Sequence, residues 1–274
     1  MSIKAVVTDL DGTLLTMKKE LTEDNARALE KCHERGILVI PATGRTIVGV
    51  PEFLKALPAV RYLILTNGSR VMDLREGKTL KAHLLDQEKA ADILSYVNQF
   101  HILYDAYING RGVSETRFLE NLDDYGIEAP IQAVMRRTRF PVDNIIEYVR
   151  SSPDKIEKIN NYYDDLELRA RVRRKLEQDP EITVTCSLYN NLEIMNAEAS
   201  KGAAVLFLAK YLGIKPEEIM VCGDSDNDST MMLPSMKKIA MGNASDSIKA
   251  MADYVTDTND RSGVARALEK FVFS

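Results

Sequence analysis

The sequence predicts an α/β protein in which a parallel sheet core is interrupted by an inserted α+β domain. Two observations lead there. In the first and last thirds of the 274-residue chain, apolar runs of strand length alternate with helical stretches. That rhythm builds a parallel sheet with helices on both faces. About residues 85–188 break the rhythm and hold most of the tyrosines. The expected division is therefore a discontinuous core of residues 1–84 and 189–274 around an insertion of residues 85–188.

Taken in order, Ile3–Thr8 reads as a buried strand, and Thr22 is placed to cap a helix that runs to Arg35 and stops at Gly36. Ile37–Ala42 and Tyr62–Thr66 are further strands, with a short helical piece broken by Pro51 between them. Val71–His83 reads as a hairpin turning at Glu76-Gly77. The insertion begins with a helix, Gln87–Phe100, and a strand, Ile102–Ile108. After mixed segments come a helix at Val142–Arg150, a strand at Ile156–Tyr162, a helix at Leu166–Glu177 and a strand at Ile182–Ser187. The core resumes with helix Lys201–Leu212, strand Ile219–Cys222, a helix start at Asp228–Leu233 and strand Lys238–Met241. Helices over Asp246–Ala252 and Gly263–Phe271 complete it.

Composition narrows the function. Apolar residues make up 45% of the chain, as in an ordinary globular protein. Lys plus Arg number 36 and Asp plus Glu 41, a net charge of −5 that gives no reason to expect nucleic acid. The basic run Arg169–Lys175 lies on a helical pattern with acidic neighbours and reads as a solvated face. Three scattered cysteines, Cys32, Cys186 and Cys222, argue against a disulfide framework and for a reducing compartment. No apolar stretch is long enough to span a bilayer and none resembles a signal peptide, so the expected address is the cytoplasm.

Four short motifs carry the chemistry. Asp9-Leu10-Asp11-Gly12-Thr13 follows the first strand, and ligands of open parallel sheets bind at carboxyl ends of strands. Two carboxylates one residue apart could converge on a metal there; the alternative is a polar turn closed by Gly12. Thr43-Gly44-Arg45 follows the second strand and could hold a phosphate oxygen, although Thr-Gly pairs are common in turns. Ser200-Lys201-Gly202 opens a helix, where a lysine opposes the dipole unless an anion stands between them. Otherwise it is an exposed lysine beside a serine cap. Gly223-Asp224-Ser225-Asp226-Asn227-Asp228 follows another strand. Its clustered carboxylates repel one another, by about 4 kcal/mol for a pair ~4 Å apart near a surface, unless a cation intervenes. Together these groups suit phosphoryl transfer, and an all-oxygen set suits Mg²⁺ better than zinc.

The four motifs, in this order, resemble the haloacid dehalogenase superfamily, most nearly its Cof-type phosphatases with a type IIB cap. The resemblance covers the whole chain and extends to Asn67-Gly68-Ser69, Met241-Gly242-Asn243-Ala244 and Gly263-Val264-Ala265. It implies a Rossmann-like core, an inserted cap and a Mg²⁺-dependent phosphatase of small phosphorylated metabolites, sugar phosphates in particular. It further implies Asp9 as nucleophile, forming an aspartyl-phosphate, and Asp11 as general acid and base. The metal would be held by Asp9, the Asp11 backbone carbonyl and Asp224, with Asp228 supporting. Leu10, Thr43, Gly44, Lys201 and Asn227 would hold the phosphoryl group. Arg45 is open between a substrate contact and a structural pairing. The chain departs from the usual pattern at Asn196-Ala197-Glu198-Ala199, which lacks a glycine, and at Arg261-Ser262. Only one helix fits between Gly12 and Ile37, so no cap follows the first motif. No membrane or nucleic-acid partner is expected, and monomer and homodimer are both open. A phosphomutase and a non-catalytic phosphometabolite sensor are the competing readings.

Overall fold

In the computed structural model, which describes residues 2–274, the chain divides into two compact units. One comprises residues up to Gly44, Pro51–Ala82 and Ser200–Ser274; the other comprises Arg45–Val50 and His83–Ala199. From the N-terminus the chain forms β1 (Ala5–Thr8), α1 (Glu23–Glu34), β2 (Leu38–Pro41), α2 (Glu52–Lys55), β3 (Tyr62–Leu65), β4 (Arg70–Asp73) and β5 (Lys78–Ala82). The second unit then supplies α3 (Gln87–Val97), β6 (Leu103–Ile108), β7 (Arg111–Glu115), α4 (Thr116–Glu120), α5 (Ala129–Thr138) and β8 (Arg139–Val142). It continues through α6 (Ile145–Ser151), β9 (Ile156–Tyr162), α7 (Leu166–Leu176), β10 (Ile182–Thr185) and β11 (Asn191–Asn196). The first unit resumes with α8 (Lys201–Leu212), β12 (Ile219–Gly223), β13 (Lys237–Ala240), α9 (Asp246–Met251), β14 (Tyr254–Val255) and α10 (Gly263–Leu268).

The first unit is built on a parallel sheet of order β14-β13-β12-β1-β2. Val6, Val7, Met220 and Val221 in its centre are buried, as strands covered on both faces require. β3 joins β2 through the parallel bridges Val39↔Val60 and Ala42↔Ile64, and pairs antiparallel with β4, which pairs with β5. The expected hairpin is thus extended into a three-stranded sheet. Thr22 caps α1 as its position implies, its side chain accepting from the Asn25 amide. The order of strands reverses between β1 and β12, and a crevice opens at such a switch point at the carboxyl ends of both strands.

The second unit is a six-stranded sheet of order β10-β11-β9-β6-β7-β8, antiparallel except where β7 runs beside β8. Its apolar core includes Leu94, Tyr104, Phe118, Val149, Ile159, Val172 and Ile194. Here the expected boundary moves. The sequence places the end of the insertion at residue 188, but β11 lies beyond it and pairs with both β9 and β10. The unit therefore runs to Ala199. The unassigned stretch after β6 resolves into β7, α4, α5 and β8.

Close packing within the first unit is decided at Gly202. A Cβ there would lie 2.0 Å from the Thr230 carbonyl oxygen, a backbone atom that cannot move aside alone. Gly202→Ala is expected to destabilise the protein by roughly 2 kcal/mol or more, the scale of an overpacked site. Chemical denaturation checks this; an unchanged midpoint would show that the turn carrying Thr230 yields freely.

Candidate active site

Each motif occupies the predicted kind of position. The Asp9 amide donates to the Cys222 carbonyl at 3.0 Å, carrying the β1–β12 ladder one residue past the strand. The chain then folds back: the Leu14 amide donates to the Asp9 carbonyl at 3.2 Å and Leu15 to Leu10 at 2.9 Å. Gly12 makes this turn possible with a φ of +88°, and a Cβ there would come within 2.6 Å of the Asp224 carboxylate. Leu10 and Thr13 are fully buried beneath the turn.

Four charged side chains meet beside it. Lys201 Nζ donates to Asp9 Oδ1 at 2.5 Å and to Asp228 Oδ1 at 2.6 Å. Asp9, Asp224 and Asp228 each offer an oxygen within 4.8 Å of the others. The structure thus defeats the reading of Lys201 as an exposed lysine: its side chain is 0% exposed, and Ser200 caps α8 by accepting from the Ala203 amide. Asp228 Oδ2 accepts from the amides of Asp224 and Ser225 at 2.8 and 3.0 Å, so both of its oxygens are engaged. Thr13 Oγ1 donates to Asp224 Oδ1 at 2.5 Å. The Asp224 carbonyl accepts from the Ser245 amide, and Asn243 Nδ2 donates to the Gly12 carbonyl.

The electrostatics follow from burial. Desolvation pushes the Asp9 carboxyl well above its ordinary range, Lys201 pulls it back, and Asp228, Asp224 and Asp11 push it up again. Asp224 is raised to about 7, first by burial and then by Asp228, against the hydrogen bond from Thr13 and the charge of Lys201. Burial would lower Lys201, but Asp228 and Asp9 outweigh it and hold the ammonium protonated. Three carboxylates against one ammonium leave an excess of 3 − 1 = 2 negative charges when all are ionised.

The remaining predicted residues divide. Thr43 is buried, its amide donating to the Ile64 carbonyl and its carbonyl accepting from Asn67, with Gly44 half-buried next to it. Asn227 is buried, donating to Asn67 Oδ1 at 3.1 Å and accepting from Ser225 Oγ. Asp11 stands outside the carboxylate set: its side chain is 36% exposed and pairs with Lys19 at 2.8 Å. Arg45 Nη1 donates to the Gly49 carbonyl. Sequence reasoning gave no role to Thr13 and none to Asn67, which has a left-handed φ of 55°. Both stand in quoted motifs, but their partners Asp224 and Asn227 are 211 and 160 residues away. Cys222 is buried and unbridged, as its apolar surroundings imply.

Comparison with known proteins agrees along the whole chain. The profile of the haloacid dehalogenase-like hydrolases matches residues 6–268. The phosphatase YwpJ of Bacillus subtilis is 30% identical, the alignment covering 97% of this chain and 99% of that protein. The 5-amino-6-(5-phospho-D-ribitylamino)uracil phosphatase YcsE of the same organism is 28% identical over 99% of this chain and 97% of its own. Among solved structures, a haloacid dehalogenase-like hydrolase from B. subtilis superposes with a TM-score of 0.86 at 28% identity, covering 97% of this chain and 99% of that one.

Proposed function

Because the chain belongs to the haloacid dehalogenase-like hydrolases and is a phosphatase of the Cof type, we propose that it hydrolyses small phosphorylated metabolites, sugar phosphates among them, through a phosphoryl group carried on Asp9. The observation that carries this reading is the buried Lys201 bridging Asp9 and Asp228 beside Asp224, at the switch point of a parallel sheet.

An Asp9 carboxylate oxygen forms a bond to phosphorus as the bond from phosphorus to the leaving oxygen breaks, and Asp11 gives that oxygen a proton. Asp11 then takes a proton from water, whose oxygen bonds to phosphorus while the bond to Asp9 breaks. Lys201, Asn227, Thr43 and the amides of Leu10 and Gly44 hold the phosphoryl oxygens. Asp228 positions Lys201 and the 224–225 backbone, since both its oxygens are already engaged there.

A divalent cation fits this donor set: the oxygens are hard, clustered and two charges in excess over Lys201. Asp9, Asp224 and the Asp11 backbone carbonyl would hold Mg²⁺, Asp228 supporting them, and the ion supplies neutralisation of phosphoryl charge when bound. The named substrate of YcsE carries a phosphorylated ribityl chain, which supports a hydroxylated leaving group.

The test is phosphate release from a panel of sugar, polyol, nucleotide and cofactor monophosphates with Mg²⁺. Release is expected from several members, to stop in excess EDTA and to return when Mg²⁺ is restored. Undiminished rates in EDTA would remove the metal from the reading, and no release from any member would remove the hydrolysis.

Among the described residues no helix is long and apolar enough to cross a membrane.

A further inference from the structure

One turn of the first unit belongs to no strand and takes no part in making or breaking bonds. Between β3 and β4, Thr66, Asn67 and Gly68 have φ angles of 46°, 55° and 97°. Left-handed residues in succession are unusual, and threonine, branched at Cβ, is a poor occupant of that region. Such a backbone persists where its surroundings hold it.

The surroundings here are the segments that carry the phosphoryl contacts. The Asn67 amide donates to the Thr43 carbonyl at 3.0 Å. Gly68 lies against the entry to α8, where a Cβ would come within 2.1 Å of the Ser200 carbonyl oxygen and 3.1 Å of the Lys201 nitrogen. The Asn67 side chain is buried and reaches the last motif, its Oδ1 accepting from Asn227 Nδ2 at 3.1 Å.

That bond decides how the Asn227 amide is oriented. Asn227 Oδ1 accepts from Ser225 Oγ at 2.8 Å, and one Nδ2 hydrogen goes to Asn67. The other Nδ2 hydrogen meets no acceptor among the described residues, so it is the donor left for a phosphoryl oxygen. Flipping the amide would set its oxygen against Asn67 Oδ1, two acceptors with no hydrogen between them. Ser225 does not oppose the flip, because a hydroxyl accepts as readily as it donates. The choice is therefore made at Asn67.

We propose that Asn67 is a positioning residue for phosphoryl transfer, its Oδ1 aiming the Asn227 amide at the phosphoryl group. The left-handed turn alone does not explain the residue, since glycine meets that demand with less strain and does so at position 68. What asparagine adds is the acceptor. The proposal rests on the phosphatase reading and on Asn227 as a phosphoryl contact.

Asn67→Gly tests it, because glycine keeps the turn and removes the acceptor. Steady-state kinetics with Mg²⁺ would compare wild type, Asn67→Gly, Asn227→Ala and the double variant on glucose 6-phosphate, glycerol 3-phosphate and p-nitrophenyl phosphate. In Asn67→Gly, kcat/KM is expected to fall about tenfold and by the same factor on each substrate, since the phosphoryl group is common to all. Asn227→Ala should lose at least as much, and the double variant should lie within about twofold of Asn227→Ala, because the first residue acts through the second. Undiminished kcat/KM in Asn67→Gly would overturn the proposal and leave the phosphatase reading intact. Losses that multiply in the double variant, or a Tm more than about 10 °C below wild type in Asn67→Gly, would overturn it in favour of a structural role. A wild-type protein that releases phosphate from none of the three, nor from any member of the wider panel, would defeat the phosphatase reading itself, and this proposal with it.

Discussion

Asp9→Asn is expected to lower turnover of every substrate by about four orders of magnitude or more, the scale seen when a nucleophile is removed and its supporting groups remain. Such a loss corresponds to roughly 5 kcal/mol of transition-state stabilisation. Asparagine keeps the shape of the side chain, so the turn from Asp9 to Leu15, held by backbone bonds, should persist. Asp228 still pairs with Lys201, so the folded state should survive. Rate measurement beside thermal unfolding decides the matter. A correctly folded Asp9→Asn protein with near-normal rates would show that phosphorus is attacked by another group.

Lys201→Met is expected to cost both activity and stability. The ammonium is the buried partner of two carboxylates, and its loss leaves Asp9 and Asp228 without a cation, in a site where burial already disfavours the charge of Asp9. Breaking a buried pair from one side typically costs about 3–5 kcal/mol, far more than a surface bridge such as Lys19–Asp11 would. Tm should fall by roughly 10 °C for a chain of this size. Adding Asp228→Asn should recover part of that stability while activity stays lost, because the second change removes a stranded charge without restoring a phosphoryl contact. A Tm unchanged from wild type in Lys201→Met would mean that the pairing contributes no net stability. Full activity would remove Lys201 from the phosphoryl site.

The sequence by itself determined the strands and helices of the core and the turns on which its four motifs fall. Thr22 announced a helix, and Ile3–Thr8 and Ile219–Cys222 announced buried strands. The motifs after those strands carried their carboxylates wherever the strands were placed. These features are legible because a cap bond and a strand's apolar run are local, and because parallel strands expose their carboxyl ends on one rim. The end of the insertion was not legible, since β11 belongs with β9 and β10 only through pairing. Nor did the sequence show that Lys201 is buried rather than exposed, or that Thr13 reaches Asp224 while Asp11 turns to Lys19. Alternation along a strand can be read from a few residues, but which strand lies beside it, and in what register, is decided by contacts between distant parts of the chain.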